Sequence, residues 1–470
     1  MPDHDLVIVG GGAGGLVVAS VASQLGLQVC LIEKEIRLGG DCLHYGCVPS
    51  KTLIHTAKVA HLMRRAIDYG LPAVEPRVDM AAVNTRIREV VEQIQQHDDP
   101  QRFRDYGCEL VFGAARFIDS HTVEVNAERI RGKRFVIATG SRPLIPPIPG
   151  LEQAGYLTNI DMFSLPALPP RLIVLGGGPV GLEMAQAFQR LGSRVTVIEK
   201  QPQLLPQEDS EVAAALQAAL QAEGIEILTS VAAEKVSVES NVRSVSCSDG
   251  SVIQAEQLLV AVGRSANVEE LGLDAAGVAC TSQGITVDRR MRTTQRHIYA
   301  CGDVCGPYPF THMAEYQAGI VISNAVFHFP KKADYRVVPR VTYTDPELAH
   351  TGLTEQQARE KGITPQVLRY DFKDIDRALA EGETTGFSKL ITHKGRILGA
   401  SILGPQAGEL IHEIALAMQT GAKISDISAA IHAYPTMAQI HRRTVNTAYA
   451  PKLFSKTTRT LVKWINPNVA

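Results

Sequence analysis

Two segments of this chain repeat one another in register. An apolar run, Leu6 to Val9, leads into Gly10, Gly12 and Gly15 in the order G-x-G-x-x-G; small residues follow, and a second apolar run, Val29 to Ile32, ends at Glu33. The unit returns as Ile173 to Leu175, then Gly176, Gly178 and Gly181, then Val195 to Ile198 ending at Glu199. Gly10 and Gly176, Gly26 and Gly192, and Glu33 and Glu199 are each 166 residues apart. A strand, a glycine turn, a helix and an acid closing a second strand form a dinucleotide fold. Backbone N–H groups at the helix N-terminus meet the pyrophosphate there, and the acid accepts from a ribose. A lone G-x-G-x-x-G is weak evidence; two in register, each with its acid 23 residues after the first glycine, are strong.

Each unit also has a later apolar strand ending in glycine, Phe135 to Gly140 and Leu258 to Gly263. Two dinucleotide sites in one chain point to two dinucleotides in electronic contact, FAD with NAD(P)H being the usual chemical reason. The run Ile298 to Cys301 is followed by Gly302 and Asp303, an aspartate placed to hold a flavin's polyhydroxyl chain. Proline-rich segments at 143–149 and 166–170 read as linkers. From about Val341 the pattern mixes strands (Phe387 to Thr392, Ile397 to Leu403) with helices (Gly408 to Thr420, and one after Pro435) and suits association. The expected fold class is α/β: two Rossmann-like dinucleotide-binding domains and a C-terminal α+β dimerisation domain. The expected boundaries are 1–150 for FAD, 151–270 for NAD(P), 271–340 for a central domain completing the FAD site, and 341–470 for the interface.

Composition narrows the function. The 470 residues are 45% hydrophobic and 20% charged, enough for several cores, and a net charge of -2 gives no basic field for nucleic acid. The N-terminus enters its first strand without the basic start and cleavage site of a signal peptide, and no apolar run reaches the ~20 residues of a membrane span. The expected location is the cytoplasm. Eight scattered cysteines do not make a disulfide scaffold.

One cysteine pair is spaced suggestively, in Gly40-Asp41-Cys42-Leu43-His44-Tyr45-Gly46-Cys47-Val48-Pro49-Ser50-Lys51. Four intervening residues exceed the zinc-knuckle spacing and no second pair follows, so no metal site is expected. Gly46 permits a tight path compatible with a disulfide, and a helix beginning nearby would favour a thiolate. Cys301 and Cys305 read as packing residues at a strand end and its turn, and Cys30, Cys108, Cys247 and Cys280 as structural.

With its C-x4-C-V-P-S-K motif, the chain resembles the class I pyridine nucleotide-disulfide oxidoreductases, the family of dihydrolipoamide dehydrogenase, glutathione reductase and mercuric reductase, over essentially its whole length. The resemblance implies a homodimer with FAD, in which Cys47 faces the flavin as the charge-transfer thiolate and Cys42 exchanges with substrate. It pairs Lys51 with Glu183 beside the reactive edge of the isoalloxazine and puts Asp303 on the ribityl chain. The FAD site is assigned Gly10, Gly12, Gly15, Glu33, Lys34, Gly40, Asp41, Lys51, Ala115, Thr139, Gly140, Gly302, Asp303, Met313 and Ala314. The nicotinamide dinucleotide is assigned Gly176, Gly178, Gly181, Glu199 and Gly263. Glu199 should accept from a ribose 2′-hydroxyl and repel a 2′-phosphate, favouring NAD over NADP. Asp41 departs from the family's common threonine.

The pattern breaks at the base. The family supplies from its partner subunit a histidine directly before proline, with a glutamate five residues on; here those positions are Tyr434 and Gln439, and His432 is only a neighbour. A phenol is a poor proton acceptor at pH 7 and a good donor. Mercuric reductases also carry tyrosine near this position, yet their C-terminal cysteine pair has no counterpart after Cys305. His44 is a further candidate acid or base, though packing is the simpler role. The expected activity is an NAD(P)H-dependent FAD oxidoreductase passing electrons through Cys42 and Cys47 to a disulfide, lipoyl-type or thiophilic acceptor. The alternatives are a dihydrolipoamide dehydrogenase with a modified base, a mercuric reductase-like metal reductase, and a redox sensor without turnover. The tail from Lys452 to Ile465 has Lys452, Lys456, Arg459 and Lys463, no acid, and Phe454, Leu461 and Ile465 at helical spacing. Such a tail suits a partner or an anionic membrane surface, packing on the dimer itself being the simpler alternative.

Overall fold

A computed structural model describes residues 3–466. By contact density the chain divides into two compact units. One is 1–176 with 190–193 and 233–334; the other is 177–189 with 194–232 and 335–470. Both proline-rich segments expected to be linkers fall inside the first unit, and the division passes through the second glycine turn. Part of the reason is pairing: Ser141–Pro143 is itself a strand, hydrogen-bonded antiparallel to Arg264–Ala266, which ties the first proline segment into the body.

In the first unit, five parallel strands stand in the order Ile298–Ala300, Phe135–Ile137, Leu6–Val9, Val29–Glu33, Cys108–Phe112. Leu6–Val9 and Val29–Glu33 are buried at every position, as continuous apolar runs must be in a sheet covered on both faces. Helix Ala13–Gln24 connects them and packs on helix Thr311–Ala325. A three-stranded antiparallel layer, Arg116–Asp119, Thr122–Val125 and Glu128–Arg131, shares the core through Phe117, Val123 and Ile130. Also here, Arg171–Leu175 pairs in parallel with Gln257–Val260.

In the second unit, Arg194–Glu199 pairs in parallel with Glu226–Thr229. Five antiparallel strands run in the order Arg340–Thr342, Glu347–Gly352, Arg396–Gly404, Phe387–His393, Gln366–Asp371. Helices Ala407–Thr420 and Gln439–Asn446 pack on this sheet over Leu390, Ile402, Ile411 and Ile440. The tail forms the helix Lys456–Ile465. Among the described residues no helix is long and apolar enough to cross a membrane.

Candidate active site

The first glycine turn is built by close backbone approach. Gly10 has φ +111°, and a Cβ there would lie 2.3 Å from the carbonyl oxygen of Ala138. A Cβ on Gly40 would lie 2.7 Å from the Cα of Gly12, so two glycine backbones meet where helix Ala13–Gln24 begins. Glu33 is buried, and its carboxylate accepts from the N–H of Gly11 at 2.6 Å and of Glu35 at 2.9 Å. The acid thus braces the turn and keeps lone pairs for a hydroxyl. Gly15, in the first turn of helix Ala13–Gln24, lies so close to the glycine turn that a Cβ would strike the Gly10 carbonyl. Lys34 points into solvent, 3.8 Å from Glu35.

Beyond this turn lie the cysteines. Cys42 sits in the short helix Gly40–His44, and Cys47 opens the helix Cys47–Arg64. That places its sulfur where aligned peptide dipoles favour an anion. Both are thiols in the structure. Thr311, at the start of helix Thr311–Ala325, donates its hydroxyl to Cys42 Sγ at 3.0 Å and lies 3.7 Å from Cys47 Sγ. Hydrogen bonding to Cys47, then burial, pushes the Cys42 thiol up. Lys51 lies one helical turn after Cys47. His44 uses Nε2 on the Leu38 carbonyl at 2.9 Å, a packing role.

Asp41 finds a partner the sequence did not announce. Its carboxylate pairs with Arg264 at 2.9 Å and accepts from Asn159 at 3.3 Å. Arg264 also donates to Ser141 Oγ, which donates to Asp303 at 2.6 Å. Burial pushes the Asp303 carboxyl above its usual range, against the pull of Ser141 and Arg264. Nearby, Thr139 donates to the Asn267 carbonyl at 2.7 Å, Gly140 takes φ +68°, and Gly302 donates to Gln317 at 2.7 Å. Met313 and Ala314 are buried on helix Thr311–Ala325, and Ala115 is half-buried against the core. Thr311, Arg264, Ser141 and Asn159 belong to no sequence motif, and sequence reasoning missed them.

Around the second turn, Gly176 has φ +107° and its Cβ would lie 2.4 Å from the Ala261 carbonyl oxygen. Glu199, buried, accepts from Gly177 and Gln201, both at 2.7 Å. Space is open beside Gly178, Gly181 lies in helix Pro179–Leu191, and Gly263 accepts from Leu144 at 3.0 Å. Glu183 is buried on the same helix, its carboxylate accepting from the Tyr343 N–H at 2.9 Å.

Tyr434 stands 71% exposed in the single chain. A hydrogen bond to Asp376 raises its phenol pKa above the ordinary value, which fixes it as a donor. Gln439 donates to the carbonyls of His432 and Ala433 and not to Tyr434. His432 pairs with Glu413 at 3.0 Å. Of the other cysteines, Cys30, Cys108, Cys247 and Cys301 are buried as expected, and burial pushes the Cys301 thiol up to about 12. Cys280 is the exception: it lies exposed in the two-residue strand Cys280–Thr281, too short to cover it.

Residues 4–318 match the sequence family described as pyridine nucleotide-disulphide oxidoreductase, and residues 338–444 match its dimerisation domain. A mercuric reductase of Bacillus cereus is 37% identical over 443 residues, 93% of this chain and 70% of that protein. A dihydrolipoyl dehydrogenase of Thermus scotoductus is 37% identical over 455 residues, 93% of this chain and 96% of that protein. Among solved structures, the Cu(II) complex of the HOCl-induced flavoprotein disulfide reductase RclA from Escherichia coli aligns with a TM-score of 0.85 at 30% identity. That alignment covers 93% of this chain and 98% of the other.

Proposed function

This chain belongs to the pyridine nucleotide-disulphide oxidoreductase family as a flavin-dependent disulfide oxidoreductase with a dimerisation domain, and from that premise we propose that it spends NADH on a thiophilic acceptor, a metal ion before a disulfide. The observation that carries the choice is Tyr434 in place of a base, with Gln439 where a carboxylate would orient one. A disulfide acceptor requires a Cys42 thiolate, hence something to take its proton. Tyr434, held as a donor by Asp376, does not take it. A thiophilic cation displaces the proton itself on binding sulfur. Of the relatives, the mercuric reductase and the reductase in complex with Cu(II) agree with this reading, and the dihydrolipoyl dehydrogenase agrees with the dithiol alternative.

FAD is assigned to the turn of Gly10, Gly12 and Gly15, with Glu33 on its ribose and Asp303 on its ribityl chain; the nicotinamide dinucleotide is assigned to Gly176, Gly178 and Glu199. Bound FAD supplies the two-electron exchange between nicotinamide and the cysteine pair. Cys47 holds the anionic sulfur at its helix start, Thr311 orients Cys42, and Lys51 with Glu183 serves the nicotinamide side. In the homodimer Tyr434 of one subunit donates to sulfur at the cysteines of the other. The four segments 1–150, 151–270, 271–340 and 341–470 are the functional domains of this scheme. NADH loses two electrons and releases one proton, and the acceptor ion takes the electrons singly or as a pair. NADH is preferred over NADPH because buried Glu199 meets a 2′-phosphate with like charge.

The test is steady-state turnover with Cu(II), Hg(II), glutathione disulfide and lipoamide, using NADH and NADPH in turn. Metal ions should give the largest kcat/KM, and Tyr434→Phe should change it by tenfold or less, below the ~10²–10⁴ that a general base contributes. Dihydrolipoamide oxidation at hundreds of turnovers per second would overturn the reading and point to His432 with Glu413 as the base. Equal kcat/KM for NADPH would overturn the nucleotide preference.

A further inference from the structure

After Asp426 the sequence has no acidic residue, while Arg442, Arg443, Lys452, Lys456, Arg459 and Lys463 follow. The match to the dimerisation domain stops at residue 444. Past it come the helices Ala450–Leu453 and Lys456–Ile465, neither with a buried residue. Ser455 caps the second, its hydroxyl accepting from the Thr458 N–H at 3.2 Å. At about 100° per residue, Lys456, Arg459 and Lys463 fall on one side of this helix and Leu461, Val462, Trp464 and Ile465 on the other. Those four apolar side chains are 51, 52, 78 and 60% exposed, and Leu453 and Phe454 just before them 59 and 64%. A contiguous apolar surface of this kind marks a binding face.

We propose that helix Lys456–Ile465 binds the surface of an anionic lipid bilayer, lying in the headgroup plane with Trp464 and its apolar neighbours inserted. Charge selects this occupant. A second copy docked on the same face would bring two all-cationic helices together, whereas an anionic leaflet attracts each cation and accepts the apolar face below it. Tryptophan is the side chain most at home at that depth. The inference is independent of which acceptor the cysteines serve.

Trp464 is the one tryptophan in the chain, so its fluorescence reports this helix alone. The full-length, FAD-loaded enzyme is mixed with vesicles of phosphatidylglycerol and phosphatidylcholine, or of phosphatidylcholine only. With the anionic vesicles Trp464 emission should shift to the blue, become shielded from acrylamide, and the protein should co-sediment; high salt should reverse all three. The triple variant K456Q/R459Q/K463Q should bind on the order of a hundredfold more weakly, about fivefold per cation, with turnover of a soluble acceptor within twofold. Emission unaltered by anionic vesicles would overturn the proposal. So would equal binding to neutral vesicles, or emission already blue and shielded without lipid in an enzyme whose dimer is lost on truncation after Pro451, since a second copy then covers the face.

Discussion

In the first glycine turn Gly11 donates to Glu33 at 2.6 Å; in the second Gly177 donates to Glu199 at 2.7 Å. The likeness goes on past the acids. A Cβ on Gly11 would press on Leu38 and one on Gly177 on Leu204, and the N–H groups of Gly39 and Leu205 return to the carbonyls of Gly11 and Gly177. All these pairs keep the offset of 166 residues. Then the two segments part. The first continues through Gly40 and Asp41 to Cys42; the position 166 residues after Cys42 is Glu208, which pairs with Arg340. Next to it Asp209 meets Lys389 at 3.0 Å, a buried ammonium also reached by Glu211 and Glu355. One turn design can therefore serve two nucleotides, because what it fixes is backbone and one braced acid. On the proposed assignment, the connection after it carries redox chemistry in one copy and ion pairs in the other.

The sharpest way to break this comparison is at its point of divergence. Cys42→Ser and Cys47→Ser should each lower NADH-driven acceptor reduction by at least about 10⁴-fold, the scale of removing a nucleophile. Direct NADH reduction of bound FAD should stay within about twofold. Cys47→Ser should also abolish the long-wavelength absorbance of the two-electron-reduced enzyme, and Cys42→Ser should show it without reduction. Retained acceptor turnover would place the chemistry elsewhere.

A fastening role for these ion pairs predicts a loss of stability without loss of chemistry. Lys389→Met leaves Asp209 buried and unpaired, which should cost about 3 to 5 kcal/mol in denaturant unfolding, with the single-turnover rate of the folded enzyme unchanged. A neutral result would mean that these ion pairs do not hold the second connection.

Within the shared turn, a methyl group should tell the copies apart. Gly10→Ala and Gly176→Ala place nearly identical clashes, 2.3 and 2.4 Å from a carbonyl oxygen, in left-handed backbone. The first should weaken FAD retention about a hundredfold; the second should keep FAD and raise the KM for NADH about as much, in line with the ~10² cost of a small misplacement. If both variants lose the same cofactor, the division of labour between the turns is wrong.

The smallest effect lies in pH. His350, buried 3.8 Å from Glu208, has its pKa lowered to about 3, by burial first and then by Arg340. Between about 6.5 and 3 the unfolded chain takes a proton that the folded chain refuses. Stability is therefore full above pH 6.5 and falls as pH drops, by about 1.4 kcal/mol per unit at most. His350→Gln should flatten the unfolding free energy between pH 6.5 and 5.5; an unaltered slope would assign the loss to other groups.

What the sequence determined by itself is local. The glycine turns, their acids at the ends of Val29–Glu33 and Arg194–Glu199, the cysteine pair and its helix, and a tyrosine directly before Pro435 all depend on residues a few positions apart, where backbone geometry and helix dipoles act. The helical tail was legible for the same reason: amphipathic spacing is a property of ten consecutive residues. Only the tertiary structure decided the rest. The Thr311 hydroxyl on Cys42 spans 269 residues, and Arg264 on Asp41 spans 223. Neither partner carries a signature, because any residue of suitable chemistry serves once folding delivers it. Asp376 on Tyr434 is of the same kind, and it holds the phenol in its protonated, hydrogen-bond-donating form. Spacing reveals which groups a chain can offer; the protonation and aim of those groups are set by neighbours that only the fold brings near.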